Sequence, residues 1–217
     1  NLKAYFPSLL SNPQTFFQIA VSDKQNEGNE RYTGFPSAED FDAVNYDLAH
    51  SLRESRFADA NDFTFFFVGN FDAESLELLA QKYLGALPVL EGKEAYQTPD
   101  FRIADAYERF EVKKGKDPKS YVNFTWREEI PYAPETEIHI DALGELLSIK
   151  LIEKLREDES GVYGVGASGS MQQIPFGNLS FQIAFPCGPE NVESLIKFTL
   201  EQINDIKSGK VLEEDLN

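Results

Sequence analysis

The chain has 217 residues, of which 41% are hydrophobic and 18 are phenylalanine, so it is long enough to bury a core as one large domain or two small ones. A net charge of −17 disfavours nucleic acids and anionic membranes as partners. No apolar run approaches the roughly 20 residues that cross a bilayer, so no membrane insertion is expected. The single cysteine, Cys187, excludes an intrachain disulfide and a Cys-rich zinc site.

The first third of the chain predicts short helices. Apolar residues at helical spacing over residues 2–20 indicate two helices that are divided at Pro13. Ser37 and Asp40 then form a capping-box pattern, which predicts one helix from there to about Phe57.

A strand and a helix are predicted next. Phe63–Val68 is a continuous apolar and β-favouring run, which predicts a strand that is buried on both faces. Asp72 is expected to cap the following helix, and Gly85 and Pro88 to end it. Residues 91–104 have the composition of a linker, so we place the domain boundary there.

The second half alternates strands and helices. Phe110 and Val112 are expected to form a hairpin with a strand through residues 122–126, across the basic loop Lys113–Lys119. A leucine ridge predicts a buried helix over residues 134–156. Two strands, over residues 162–171 and 179–185, and a helix that opens at Pro189 complete the pattern, which favours an α+β fold.

No complete catalytic constellation is visible. His50 and His139 are far apart and belong to neither zinc-binding helix motif, so each is interpreted as a helix residue with no metal role. Cys187 has no neighbouring base, and no serine sits in a nucleophile elbow. The glycines at 164, 166 and 169 lack the Lys-Ser/Thr ending of a phosphate-binding loop and are better suited to the close approach of a bound chain beside a strand.

Three stretches together resemble the pitrilysin/insulinase-type zinc peptidases. They are Arg56–Asp72, Lys82–Pro88 and Leu155–Tyr163. The resemblance implies an α+β fold of two LuxS/metallohydrolase-like units, each an antiparallel sheet with helices packed on one face. It also implies that residues 1–90 are the carboxy-terminal part of a third peptidase-like domain, and that residues 105–217 are most of a fourth.

In this family the zinc motif belongs to the first domain, so the resemblance implies zinc in a full-length protein and none bound by this chain. The final residues, 211–217, stop without a helix-ending Gly or Pro, and we expect the chain to be a segment of something longer. Its expected partners are a peptide substrate and the amino-terminal zinc-bearing half of the same protein or a partner subunit.

The same resemblance implies two catalytic residues, Arg156 and Tyr163. In the family, the matching Arg and Tyr project into an enclosed chamber and help to stabilise the oxyanion that develops at the scissile carbonyl. Small residues after Tyr163 would let an extended peptide pair beside the next strand. The alternative is a non-catalytic scaffold or partner subunit of the same fold. A location in the bacterial cell envelope or periplasm is also implied.

Overall fold

The computed structural model describes residues 2–90, 95, 97–103, 107–158 and 164–210, without the side chains of 153–158. The chain forms two compact units. Asn1–Phe35 and Thr98–Asn217 form the first, here called the sheet unit, and Pro36–Gln97 form the second, the helical unit. The change of unit after Gln97 falls inside the predicted linker, 91–104, whereas residues 1–35 group with the carboxy-terminal part. The assignment of 1–90 and 105–217 to two domains of a longer protein stays a prediction.

Three antiparallel strands form the sheet in the described part of the sheet unit. They are β1 (Ser120–Glu129), β2 (Gly166–Gln172) and β3 (Asn178–Cys187), in the order β1-β3-β2. Ile183 of β3 stands between Phe124 of β1 and Ala167 of β2 in the register. The antiparallel sheet of the predicted α+β fold is therefore confirmed, as are both strands of the β2–β3 pair.

The other predicted strand, at Phe110 and Val112, is wrong. Those residues have no regular secondary structure, and β1 pairs along its whole length with β3 instead. The ten-residue register pairs Trp126 with Phe181 and places Phe185 diagonally opposite Phe124, with ring centroids 6.2 and 6.4 Å apart. Such cross-strand aromatic pairs stabilise a sheet. The predicted strand at Phe110 and Val112 is only three residues long and precedes a long loop, so it offers too few side chains for pairs of this kind.

Helices cover the apolar face of this sheet. In the described part of the unit the α-helices are α1 (Leu2–Leu9), α2 (Pro13–Gln25), α6 (Pro134–Asp158) and α7 (Val192–Lys207), and α6 and α7 are the ones that cover this face. Leu151 of α6 and Ile183 of β3 are both 0% exposed, and Leu195 of α7 is buried in the same cluster. Burial of each such side chain contributes about 1.5–3 kcal/mol, so the core holds α6 and α7 on the sheet.

The helical unit contains α3 (Ala38–Asp42), α4 (Tyr46–Arg56) and α5 (Ala73–Tyr83). The capping box at Ser37 and the cap at Asp72 are confirmed, since their side chains accept hydrogen bonds from the amides of Asp40 and Ser75. The single predicted helix to Phe57 is wrong, because Asn45 adopts an extended conformation and caps a second helix by accepting from the Leu48 amide.

The predicted buried strand Phe63–Val68 is also wrong. The segment pairs with no strand in the described part of the chain, and it is largely exposed to solvent. In fact, none of the described residues of the helical unit is buried. A strand needs neighbours for its backbone N–H and C=O groups, and these neighbours are absent from the described residues of this unit.

Candidate functional site

Helix α6 lies close against β2 and runs antiparallel to it. A Cβ on Gly169 of β2 would overlap Ile140, early in α6, whereas a Cβ on Gly144 would lie 3.1 Å from the carbonyl oxygen of Ala167. The two glycines therefore allow the helix and strand to approach closely. The carboxy end of α6 consequently lies at the same end of the sheet as the start of β2.

One hydroxyl ties α6 to the edge of the sheet. The Ala167 amide donates to Ser148 Oγ at 2.9 Å, and Ser148 Oγ donates to the Ala167 carbonyl at 3.2 Å. These backbone groups therefore point away from β3, and in an antiparallel pair those of Gly169 and Met171 point the same way. Ser148 occupies the outward groups of Ala167. The expected pairing of an extended peptide beside this strand stays a prediction, for which Gly169 and Met171 offer backbone groups.

The two predicted catalytic residues border this region in the sequence. The backbone of Arg156 belongs to the last turn of α6, and Tyr163 directly precedes Gly164, which leads into β2. The side chain of Arg156 and the whole of Tyr163 lie outside the described residues. Their roles therefore stay predictions.

The sheet face opposite α6 and α7 is polar. Cross-strand pairs place Arg127 beside Ser180 and Thr125 beside Gln182, while Ser180 stands beside Ser170 of β2. The carboxy end of α2 contacts the β1 part of this face, since Gln25 Nε2 donates to Thr125 Oγ1 at 2.9 Å. We call this surface, formed by alternate residues of the three strands, the polar sheet face.

Two donors on this face stand out electrostatically. Arg127 is half-buried, burial lowers the pKa of its guanidinium, and its Nη1 donates to the Gln25 carbonyl oxygen at 2.7 Å. Asn123 Nδ2 is a buried donor without a hydrogen-bond partner in the part of the chain that the structure describes. A desolvated cation and an unused amide donor favour carbonyl or carboxylate oxygens as ligands.

No role was predicted for this face. Val122, Phe124 and Trp126 alternate with polar residues and so predict one apolar face of β1. The same period of two places Asn123, Thr125 and Arg127 on the opposite face, so the signal was present in the sequence.

The remaining candidates offer no independent chemistry. His50 lies on α4, 3.4 Å from Glu54, and His139 is exposed on α6. Across the described ranges, no three His, Cys, Asp or Glu side chains are grouped to hold a metal ion. Burial raises the pKa of Cys187 to about 11, which keeps its thiol protonated near neutral pH. No described helix is both long and apolar enough for a bilayer crossing.

Comparison with known proteins defines the class. Residues 44–217 match the family described as "Peptidase M16 inactive domain", and the chain belongs to that family. The predicted membership of the pitrilysin/insulinase-type zinc peptidases is thereby confirmed.

Two proteins with similar sequences carry the same name. The chain is 30% identical over 160 residues to the probable zinc protease PqqL of Haemophilus influenzae and 27% identical over 164 residues to that of Escherichia coli. These alignments cover 70% and 74% of this chain but only 16% and 17% of the relatives. The chain therefore spans about a sixth of the length of each relative.

Solved structures show the same fold. The periplasmic protease PqqL of Escherichia coli matches with a TM-score of 0.76 at 23% identity, over 99% of this chain and 24% of that one. The ferredoxin protease FusC, solved in complex with Arabidopsis ferredoxin, matches with a TM-score of 0.66 at 13% identity, over 94% of this chain and 22% of that one. At these identities the likeness establishes the fold alone.

Proposed function

We propose that this chain is the substrate-binding, non-zinc-bearing carboxy-terminal segment of a zinc metalloendopeptidase, which cleaves peptides in an enclosed chamber. The observation that carries the proposal is the match of residues 44–217 to an inactive peptidase domain, in a chain that spans about a sixth of relatives named as zinc proteases. Zinc supplies the hydrolytic chemistry and belongs to the amino-terminal half of the same protein or to a partner subunit.

Arg156 and Tyr163 are the proposed catalytic residues of this segment. A guanidinium stays charged at all relevant pH values, and a phenol donates a hydrogen bond without giving up its proton. Together they stabilise the oxyanion that forms at the scissile carbonyl, which is a role for preorganised donors. The antiparallel packing of α6 on β2 supports this pairing, because it brings the last turn of α6 to the end of the sheet where β2 begins.

The rest of the substrate is proposed to bind along the same sheet. Gly169 and Met171 offer outward backbone groups at the β2 edge, and the polar sheet face offers side-chain donors, including Arg127. Both surfaces suit an extended peptide, whose carbonyl groups repeat along its length. By similarity to the periplasmic PqqL, the longer protein is placed in the bacterial periplasm or cell envelope.

Peptide cleavage tests the proposal. The intact longer protein and the isolated 217-residue chain are compared on a quenched fluorescent peptide library, with zinc content measured by mass spectrometry. We expect cleavage and stoichiometric zinc in the intact protein alone. Zinc uptake together with cleavage by the isolated chain would contradict the proposal.

An Arg156→Ala variant of the intact protein locates the contribution of this segment. We expect the variant to lose on the order of a hundredfold in kcat/KM, as is usual when a preorganised donor is removed. Lys116→Ala, in the exposed basic loop, serves as the control and is expected to retain activity. An intact wild-type protein that holds no zinc and cleaves nothing would favour the scaffold alternative.

A further inference from the structure

The edge of the sheet at β2 is closed at one end and open further along. The backbone N–H and C=O groups of Gly169 and Met171 that point away from β3 have no hydrogen-bond partner in the part of the chain that the structure describes. Those of Ala167 are closed, since Ser148 Oγ accepts from its amide and donates to its carbonyl. An added strand can therefore form backbone hydrogen bonds with β2 only from Gly169 onwards.

The contact between Ser148 and Ala167 also shows which side of α6 faces this edge. Asp141 precedes Ser148 by seven residues, which is about 700° of helix, or about 20° short of two full turns. Glu137, four residues earlier, lies on the same side. We call Glu137, Asp141 and Ser148 the edge stripe of α6. Within it, Asp141 lies about 10.5 Å from Ser148, towards the amino end of the helix.

Asp141 lies level with the open part of β2. Because α6 runs antiparallel to β2, a step of about 10.5 Å along the helix corresponds to about three residues along the strand, from Ala167 to Ser170. The overlap of Ile140 with a Cβ on Gly169 agrees with this position. A strand added beside Ser170 would therefore pass along the Asp141 side chain.

The carboxylate of Asp141 is free to contact such a strand. The side chain that the added strand places opposite Gly169 would point towards α6, because opposite residues in a sheet share a face. Asp141 is exposed and has no hydrogen-bond or ion-pair partner among the described residues, whereas Glu137 accepts from the Tyr132 hydroxyl at 2.7 Å. Lys150, the only lysine or arginine among the described side chains of α6, lies on the opposite side of the helix from the edge stripe.

We infer that two side chains of α6 select the peptide that β2 binds. Ser148 confines pairing to the part of the strand from Gly169 onwards, and Asp141 favours a lysine or arginine opposite Gly169. The inference rests on the proposed function, in which an extended peptide pairs along β2. Charge complementarity supports it, since a chain of net charge −17 attracts a basic peptide. The substrate class is thus an extended segment that carries a basic residue, which backbone pairing alone does not specify.

Peptide binding to the intact longer protein, stripped of zinc so that no cleavage occurs, tests the inference. Two fluorescently labelled ten-residue peptides of alternating serine and valine differ only in a central lysine or glutamate. We expect the wild type to bind the lysine peptide about three- to fivefold more tightly, as for a well-formed exposed ion pair, and Asp141→Lys to reverse the preference. Absence of binding, equal affinity of the wild type for both peptides, or a preference that Asp141→Lys leaves unchanged would overturn the inference.

Glu201→Lys is the matched control for the change of charge. Glu201 is exposed on α7, which packs against β1 at the opposite edge of the sheet from β2. This variant is expected to keep the preference of the wild type for the lysine peptide. A reversal as large as that of Asp141→Lys would assign the preference to the overall charge of the protein and overturn the role of Asp141.

Hydrogen exchange locates the bound peptide on β2. The lysine peptide is expected to slow exchange of the Gly169 and Met171 amides at least about tenfold, and to leave the Ala167 amide, which Ser148 already protects, unchanged. In Ser148→Ala the peptide should slow exchange at Ala167 as well. Binding that protects none of these amides would overturn the inference. Cleavage by the zinc-loaded wild type is measured separately, so an inactive protein with these binding properties would contradict the proposed function alone.

Discussion

The sheet unit and the helical unit both form the helices that their local sequences predict, but only the sheet unit has a buried core among its described residues. The caps at Ser37, Asn45 and Asp72 form in the helical unit as the sequence chemistry requires, yet no described residue there is buried. The sheet unit buries a continuous cluster around Ile183 and Leu151. Helix caps therefore set where elements begin, whereas burial decides whether they are stable, and helices of this length rely on packing.

The largest expected difference between the two units lies in core truncation. Ile183→Ala removes a side chain that is 0% exposed, so we expect a loss of about 2–5 kcal/mol in the free energy of unfolding. Leu78→Ala in the helical unit, where the side chain is 68% exposed, is expected to change it by less than about 0.5 kcal/mol. Urea unfolding followed by the fluorescence of Trp126 and by circular dichroism measures both. Similar losses would break the comparison.

Close packing of α6 on β2 is expected to give the next largest effect. In Gly169→Ala the new methyl would overlap Ile140 and lie 2.7 Å from Phe181 Cδ2, so we expect a loss of about 1–3 kcal/mol. Gly166→Ala on the same strand is the control, since its Cβ would meet nothing within 4 Å. Ile140→Ala should recover part of the loss in the double variant. Equal stability of the two glycine variants in urea unfolding would refute the close approach.

The edge of β2 provides a smaller test. Ser148→Ala leaves the Ala167 amide and carbonyl without their partner, and we expect a loss of about 1 kcal/mol. Hydrogen exchange of the Ala167 amide should accelerate, while amides of β3 stay protected. Ser170→Ala, on the opposite face of β2, is the control. Unchanged exchange at Ala167 would show that Ser148 does not protect this edge.

The smallest expected effect is in the helical unit, where the stability of α5 should depend on pH. Hydrogen bonds from Ser75 hold the pKa of Asp72 below its ordinary value. Because the folded-state pKa is the lower one, the cap stabilises α5 fully above about pH 4 and is lost as the pH falls through the folded value. Asp72→Asn keeps a capping side chain that does not titrate, so the exchange of α5 amides should lose this acid dependence. A retained dependence would assign it to another group.

Much of this fold could be predicted because its signals are local or periodic. The leucine ridge of α6 and the strict alternation along β3 identify a buried helix and a strand with one apolar face. The failures at Phe63–Val68 and Phe110 concern pairing, which depends on residues far away in the chain. Strand propensity predicts that a segment can pair and does not say what it pairs with.

The residues of the candidate site likewise include some that the sequence could predict and some that it could not. Arg156 and Tyr163 came from family resemblance, since an arginine near a helix end and a tyrosine before a strand have no local signature of catalysis. Ser148 was not predicted, because its role depends on how closely α6 approaches β2, which Gly144 and Gly169 together determine. The polar sheet face was predictable from the alternation of β1, once the apolar face had been assigned.

The most direct test of the account is the turnover of the intact protein carrying Tyr163→Phe, with Tyr107→Phe as the matched control. Removal of a donor that acts on the developing oxyanion should lower kcat on the order of a hundredfold and leave KM nearly unchanged. The control should behave as the wild type, since Tyr107 is almost fully exposed. Turnover by Tyr163→Phe equal to that of the control would contradict the claim that this segment takes part in the reaction.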